Sequence, residues 1–444
     1  MEQAAKPAFL ALQSLQHRGQ QGCGLAAFGP EGKLRVHKAA GLVRDVLTDE
    51  VQEALPGSSC IGHVRYPTTA VGGMENLQPF RFASLAGSFA LAHNGNIVNA
   101  DIVRSRLEEQ GHLLHSTSDS ELFSHLIGSG LRDKTWVENI ISAANQLDGA
   151  YSTVILTDSH LYACRDKYGF RPLSIGRLGA GYVIASETCA LDAVEAQFIR
   201  DVEPGEVISI GPEGLQSFRH SQASGGYMCA MEFIYFARPD SVIEGCNVHA
   251  FRKRSGELLW EEHPAPADIV IHVPDSSLSA AMGYAQAGGL PLERGLIKNT
   301  YVARTFIQPS QAMRDMGVRM KLSPIRSILE GKRVAVIDDS IVRGTTTRQM
   351  VRMLRDAGAK EVHLRIASPK YAWPCFYGID TGTSEQLIGA THSEKEICAF
   401  VGADSLNYLS EQALFSAAAP AGHPARTTLC TACFSARYPT DLYK

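Results

Sequence analysis

The stretch VAVIDDSIVRGTT, residues 334–346, decides the fold of the second half of this chain. Its four apolar residues at 334–337 are typical of a buried strand, and Asp338 and Asp339 stand at the carboxyl end. Residues 340–346 then combine hydroxyl groups with a glycine and lead into a helical pattern. Such a loop offers backbone N–H groups to an anion. Adjacent carboxylates suit ribose hydroxyls or a hydrated divalent cation.

A bare Asp–Asp pair more often marks surface acids at a capped turn, but the whole pattern is more specific. The segments on either side repeat its design. ADIVIHVPDSS (267–277) and EVHLRIASP (361–369) are further strand candidates, and in RQMVRMLRDAGA (348–359) Met350 and Leu354 share one helical face. Alternating strands and helices predict a parallel sheet covered by helices. Ligand sites in such sheets lie at the carboxyl ends of the strands.

The first half has a different pattern, with many short strands bounded by Gly, Asp and Asn. Examples are SFALAHNG (88–95), GAYSTVILTD (149–158), LYACRD (161–166) and GYVIASET (181–188). Helical patterns begin at Glu121 and Val137. We expect an α+β layered domain over 1–224, ending in the linker SQASGG. A second domain over 225–415 and a C-terminal tail over 416–444 complete the predicted organisation.

Composition excludes several classes of protein. The 444 residues carry 42 Lys plus Arg against 46 Asp plus Glu, so no basic surplus is available for a nucleic acid. The sequence contains no stretch of eighteen apolar residues, so it indicates no membrane span. The N-terminus does not resemble a secretory signal. Ten cysteines are too few for a disulfide scaffold at this length. We expect a cytoplasmic protein that binds neither nucleic acid nor membrane.

The segment 334–346 resembles the phosphoribosyl pyrophosphate (PRPP) signature of type I phosphoribosyltransferases. VPDSSLSAAMGYA (273–285) resembles their pyrophosphate-binding loop, and residues 295–326 resemble the flexible loop that closes over PRPP. Upstream, LQHRGQ, GHVRYPTTA, HNGNIVN, TSDSE and RDKYGFRPL resemble an N-terminal-nucleophile (Ntn) glutamine amidotransferase domain. Together they are similar to the amidophosphoribosyltransferase family over essentially the whole chain.

The resemblance implies an α/β/β/α-layered Ntn domain followed by an α/β type I phosphoribosyltransferase domain with a parallel sheet. It implies formation of 5-phosphoribosylamine from PRPP, the first committed step of de novo purine biosynthesis, with glutamine or ammonia as nitrogen donor. Purine nucleotides as feedback inhibitors and a homotetramer are implied by the family alone. The alternative is a catalytically impaired PRPP- or nucleotide-binding regulatory relative or partner subunit. A DNA-binding regulator is a weaker third reading, since no helix-turn-helix or basic patch is visible.

On this resemblance the second half binds PRPP and Mg²⁺. Pyrophosphate leaves an anomeric carbon through an oxocarbenium-like state, so its charge is met by a metal ion and cations. Asp338 and Asp339 would hold the ribose hydroxyls and Mg²⁺, and Ser276, after Asp275, would lie by the metal and pyrophosphate. The phosphate cradle would be Ser340, Gly344, Thr345 and Thr346, and the closing cations Lys298, Arg304 and Lys321. Arg304 and Lys321 could equally be solvated surface charges.

The resemblance also implies a glutamine site. Arg65 would bind the glutamine carboxylate and Asp119 its amino group, while Asn94 and Gly95 would form an oxyanion hole. In this family the nucleophile is an N-terminal Cys followed by an apolar strand. The sequence opens at MEQAAKPAF, which resembles the helix after that strand, and Cys23 has no free α-amino group to serve as its base.

As written, the chain is therefore expected to lack glutaminase activity and to use only ammonia. Two explanations compete: the natural start lies upstream, or the protein has lost glutamine chemistry. Retention of the four glutamine-site residues favours the first. A sheet deprived of one strand would expose an unpaired edge, so the chain is expected to be less stable than one with that strand.

Cys430 and Cys433 form a CxxC spacing, which lets two thiolates reach one metal centre. The family resemblance adds Cys229 and Cys375, giving four ligand positions for a 4Fe-4S cluster in a structural role. Zn²⁺ is the chemical alternative, because four thiolates also suit a tetrahedral zinc ion. Alone, the CxxC could equally be a pair of buried free thiols.

Overall fold

Alternating apolar residues in the first half build three sheets, two of which pack face to face. The computed structural model describes residues 3–66, 73–84, 87–130, 134–222, 225–299, 322–418 and 428–443. The first-half strands are β1 Gly22–Phe28, β2 Leu34–Ala40, β3 Cys60–Arg65, β4 Phe80–Ser84, β5 Gly87–Ile97, β6 Gly149–Leu156, β7 Leu161–Arg165, β8 Ser174–Leu178, β9 Gly181–Ala185, β10 Gln197–Asp201, β11 Glu206–Gly211 and β12 Gly214–Arg219. The helices are α1 Ala5–Ser14, α2 Val43–Val46, α3 Asp49–Glu53, α4 Ala100–Glu109, α5 Asp119–Ser129, α6 Trp136–Ala144 and α7 Thr188–Asp192.

These elements stack in four layers. Strand β5 shows why, because successive side chains of a strand point to opposite faces of its sheet. Ala90 and Ala92 pack against Phe28 and Ile61 of the sheet β2-β1-β3. Phe89 and its neighbours pack instead against α4, α5 and α6 on the other face of the sheet β12-β11-β7-β6-β5-β4. Helices α1, α2 and α7 cover the outer face of the first sheet. The predicted α/β/β/α layering is confirmed.

The second half contains ten described strands, and four of them form a parallel sheet. Its strands are β13 Tyr227–Cys229, β14 Val242–Ile243, β15 Cys246–Asn247, β16 Ile269–His272, β17 Leu296–Lys298, β18 Leu322–Pro324, β19 Arg333–Asp338, β20 Glu361–Ile366, β21 Ser405–Tyr408 and β22 Thr428–Cys430. Its helices are α8 Val248–Glu262, α9 Leu278–Gly288, α10 Arg326–Leu329, α11 Thr345–Asp356, α12 Ile388–Thr391, α13 Glu394–Val401, α14 Glu411–Ala418 and α15 Ala432–Ser435. Strands β16, β19, β20 and β21 pair in that order, all in parallel.

Helices cover both faces of this parallel sheet, as the alternating pattern predicts. Val334 and Val336 of β19 pack with Met350 and Leu354 of α11, while Ala335 and its neighbours pack toward α8 and α9 on the opposite face. Every side chain of the apolar stretch is therefore buried, and Asp338 is delivered to the carboxyl edge of the sheet.

The chain's tail pairs with the second half at a place where the second half contacts the first. Strand β22 pairs in parallel with β13, which places Cys430 beside Cys229. The N–H of Cys229 donates to Phe170 O at 3.1 Å, and the Phe170 ring stacks on Tyr377 with centroids 4.1 Å apart. Residues 223–224 lie outside the described residues, so the boundary near 224 stays a prediction. Among the helices that the structure describes, none combines the length and apolar character needed to cross a bilayer.

Candidate active site

Residues from both halves line one cavity of about 1090 Å³. Nine residues predicted for the glutamine and PRPP sites line it, four from the first half and five from the second. They are Arg65, Asn94, Gly95 and Asp119, facing Asp275, Ser276, Lys298, Ser340 and Thr346. Of the predicted PRPP residues, Arg304 and Lys321 lie outside the described residues. The two sites predicted from separate halves thus open into the same space.

The first-half wall presents the predicted cation and the predicted anion among its charged residues. Arg65 ends β3 and Asp119 begins α5. Burial alone would raise the pKa of Asp119, but the nearby His93 ring and the Ile97 N–H, which donates to Asp119 Oδ2 at 2.8 Å, hold it below its usual range. The Arg65 guanidinium is buried and lies with its Nη1 3.4 Å from Gly73 O. This charge pair can hold the two ends of an amino acid.

Gly95 lies in β5 with φ at +150°, where a side chain would be strained. A Cβ at this position would also lie 2.0 Å from Ala150 O in the neighbouring strand. Only glycine can bring the backbone here against the cavity. The geometry is compatible with the predicted oxyanion role of this residue and Asn94.

The acidic pair ends β19 next to the second-half wall: Asp338 and Asp339 are not among the residues that line the cavity, but they lie beside Ser276 and Ser340, which are. Ser277 Oγ donates to Asp338 Oδ1 at 3.2 Å, and the hydroxyls of Ser276 and Ser340 donate to Asp339. Burial, together with the neighbouring Asp339 charge, raises the pKa of Asp338 to about 8. Two adjacent carboxylates and nearby hydroxyl oxygens are the hard donor set that Mg²⁺ prefers, so these residues fit that ion.

The loop after the acidic pair ends at the start of α11. Gly344, with φ at +73°, precedes the helix and has no side chain to cap its N–H groups. Thr345 and Thr346 of the first turn are exposed. Unpaired N–H groups and the helix dipole make this a place for a phosphate. On the same wall Lys298 Nζ donates to Asp275 Oδ2 at 2.6 Å, so the predicted cation is present but paired in this structure.

Sequence reasoning missed a buried ionic network that also lines the cavity. Arg18 contacts Glu187 and Glu232, and its Nη2 lies 2.7 Å from Glu232 Oε2. Arg171 Nη1 donates to the other Glu232 oxygen at 2.8 Å. These partners are 169, 214 and 61 residues apart, so no local spacing could reveal them. Arg18 and Arg171 stand in the quoted motifs LQHRGQ and RDKYGFRPL, which was the available signal.

Arg252 was missed as well. It is buried on α8, and its guanidinium donates to Phe233 O at 2.7 Å and to Ala237 O at 2.8 Å. Burial lowers its pKa to about 10, while the Asp339 charge opposes that effect. A buried cation therefore stands near the acidic pair.

The four predicted ligand cysteines converge. Cys229 and Cys430 are register partners, and Tyr377 N donates to Cys375 Sγ at 3.3 Å. Burial, followed by the charges of the other thiols, raises the pKa values of Cys430 and Cys433 well above the usual range. Within the described ranges, however, no set of three or more His, Cys, Asp or Glu side chains is arranged around a single metal ion.

No cysteine among the described residues lines the cavity. Cys23 is 1% exposed inside β1, and burial, with a smaller effect of Asp45, raises its thiol pKa to about 12. A buried, protonated thiol is a poor nucleophile. Cys23 is thus poorly placed to be the attacking group.

Comparisons with known proteins agree with this geometry. Residues 65–193 match the family model of a glutamine amidotransferase domain. The amidophosphoribosyltransferase of Bacillus subtilis is 50% identical over 100% of this chain and 93% of its own length. That of Archaeoglobus fulgidus is 45% identical over 99% of this chain and 96% of its own.

Solved structures show the same relationship to glutamine PRPP amidotransferases. Glutamine PRPP amidotransferase from B. subtilis, complexed with ADP and GMP, is 50% identical and superimposes with a TM-score of 0.93, covering 100% of this chain and 96% of that one. A structure described as the allosteric regulatory enzyme of purine biosynthesis also has a TM-score of 0.93, at 50% identity, covering 99% and 95%. With such identity over its full length, and with both predicted sites opening into one cavity, this chain belongs to the amidophosphoribosyltransferase family.

Proposed function

We propose that the cavity joins a glutamine-binding site to a site where ammonia attacks PRPP, giving 5-phosphoribosylamine in the first step of purine biosynthesis. The nitrogen forms a bond to the anomeric carbon, the bond from that carbon to the pyrophosphate oxygen breaks, and a proton leaves the nitrogen. The observation that carries the proposal is the acidic pair of Asp338 and Asp339 followed by an open phosphate cradle.

Each residue in the second half has a proposed task. Asp338 and Asp339 orient the ribose hydroxyls, and the N–H groups before Thr345 and Thr346, with Ser340 and Gly344, hold the 5-phosphate. Asp275 and Ser276 face the pyrophosphate, and Lys298 leaves Asp275 to meet its charge. Mg²⁺, held by Asp338, Asp339 and Ser276, would neutralise charge on the leaving pyrophosphate. Arg304 and Lys321 stay proposed as further closing cations.

In the first half, Arg65 and Asp119 are proposed to bind the carboxylate and amino group of glutamine, with Asn94 and Gly95 holding the oxyanion. Both walls belong to one cavity, so ammonia need not leave the protein to reach PRPP. Because no described cysteine lines that cavity, we infer that this chain takes free ammonium, and not glutamine, as its nitrogen donor.

We further propose that Cys229, Cys375, Cys430 and Cys433 hold a 4Fe-4S cluster. The proposal is supported by the family resemblance and by the nearness of the four thiols, since the charges of Cys229, Cys375 and Cys430 all act on Cys433. A cluster bound by the four thiolates would offset their mutual repulsion. Anaerobically purified protein should contain iron and sulfide, and Cys430→Ser should lose both. Stoichiometric zinc in place of iron would refute the assignment.

Three further proposals concern regulation, assembly and location. A related structure contains ADP and GMP, and we propose purine nucleotides as feedback inhibitors of this chain too. A homotetramer is proposed from the family. Ten free cysteines support a reducing, cytoplasmic location. The alternative of a non-catalytic regulator is disfavoured, since a regulator would not need the intact acidic pair.

The direct test is pyrophosphate release from PRPP and Mg²⁺ by the full chain, with ammonium or glutamine as donor. Release with ammonium supports phosphoribosyl transfer. Release with glutamine as well would overturn the inference about the nitrogen donor, and release with neither would overturn the enzymatic proposal in favour of the regulatory one.

A further inference from the structure

Residues 375–381, which we call the bridging loop, run from the thiol cluster to the glutamine wall of the cavity. The loop belongs to the second half, yet it makes hydrogen bonds with the first. Asn96 Nδ2 donates to Phe376 O at 3.0 Å, and Arg171 Nη2 donates to Tyr377 O at 2.8 Å. Gly378 and Thr381 line the cavity. The loop is therefore a part of the glutamine site that comes from the other half.

Gly378 makes the closest approach. Its φ of +100° belongs to the region that favours glycine, and a Cβ there would lie 2.9 Å from the carbonyl carbon of Gly95 and 3.0 Å from its oxygen. Gly95 is confined on its other side by Ala150 O. The Gly95 backbone, which carries the proposed oxyanion donor, thus lies between the backbone at Gly378 and the backbone at Ala150. Neither side has room for a methyl group.

We propose that Gly378 and the Asn96–Phe376 hydrogen bond position the Gly95 backbone for glutamine binding, so the second half completes the glutamine site of the first. The inference rests on the proposed glutamine site. Gly378 is a positioning residue in this account, because it acts through Gly95 and not on the substrate.

Gly378→Ala tests the proposal, with Gly382→Ala as its control. Gly382 also has a positive φ, +75°, but its Cβ would meet only the ends of the flexible Gln386 and Arg343 side chains. Two readouts are needed on each full-length variant: binding of L-glutamine and L-glutamate by calorimetry, and ammonium-dependent pyrophosphate release. A general folding defect would impair both readouts.

We expect Gly378→Ala to bind both amino acids about tenfold more weakly, with unchanged ammonium-dependent activity, while Gly382→Ala changes neither. Asn96→Ala removes the donor to Phe376 without adding an atom and should weaken binding in the same selective way if Gly378→Ala does not fold. Normal amino-acid binding in both variants, or an equal loss of binding and ammonium-dependent activity, would overturn the proposal. If the unaltered chain binds neither amino acid, the glutamine site itself is wrong and this inference falls with it.

Discussion

At the scale of single residues, Asp166 shows how one buried side chain shapes the wall of the cavity. Its Oδ1 accepts from the N–H groups of Tyr168 and Gly169 at 2.9 and 2.7 Å, and its Oδ2 accepts from Tyr151 N at 3.1 Å. Those bonds fold the turn that presents Arg171 to Glu232. A buried carboxylate with several backbone donors cannot be replaced by an amide without loss, because the amide has only one acceptor oxygen.

Asp166→Asn should therefore destabilise the protein by about 1–3 kcal/mol, since its NH₂ would face a backbone N–H. Urea unfolding measures the change. The control is Asp158→Asn at an exposed position, for which we expect little change. Equal stability of the two variants would contradict the role given to Asp166.

At the scale of elements, helices α8 and α9 cross so closely that their backbones touch. A Cβ at Gly256 would lie 1.8 Å from Ala280 O, and one at Gly283 would lie 1.9 Å from Lys253 O. The crossing fixes α9, which follows Ser276 and Ser277, against the sheet edge that carries the acidic pair. Close helix packing thus positions one wall of the PRPP site.

Gly256→Ala should destabilise the chain by about 1–3 kcal/mol, because the backbones must separate to admit the methyl group. Gly128→Ala in α5 is the matched control: its Cβ would meet only Ser84 Cβ, at 3.8 Å, and alanine favours helix by up to about 1 kcal/mol. Thermal unfolding should show opposite signs for the two variants. A neutral Gly256→Ala would mean that the helices are less tightly packed than described.

Elements were predictable where the signal is local. The strand β19, the loop after it and the face of α11 with Met350 and Leu354 follow from adjacent residues. The glutamine-site residues were found by resemblance to a family, not by spacing. The contact of Asn96 with Phe376, 280 residues away, could not be read from either, because it depends on how the halves dock.

At the scale of the whole molecule, buried charges join the halves. Arg18 of the first half links Glu187 to Glu232, and both carboxylates are 0% exposed. Burial alone would raise the pKa values of both carboxyls, but Arg18 holds them below 4.5. Their stabilising effect is present above pH 4.5 and is lost as the pH falls below it.

Arg18→Met leaves these carboxylates short of a partner and should cost about 3–5 kcal/mol at pH 7. The deficit should shrink as the pH falls below 4.5, because the carboxyls can then be protonated. Urea unfolding at several pH values gives both results. Arg44→Met removes an exposed ion pair and should change stability by about 0–1 kcal/mol. A deficit that is the same at every pH would contradict the network's role.

The central claim is that one cavity holds two separate sites, and a paired assay tests it most directly. Ammonium-dependent pyrophosphate release and L-glutamine binding are measured on Asp339→Asn and Asp119→Asn. We predict that Asp339→Asn loses about a hundredfold or more of the release but binds glutamine normally. Asp119→Asn should show the reverse, with normal release and weakened glutamine binding. Loss of both properties in both variants would contradict the account, because it would mean that the two carboxylates serve a single site.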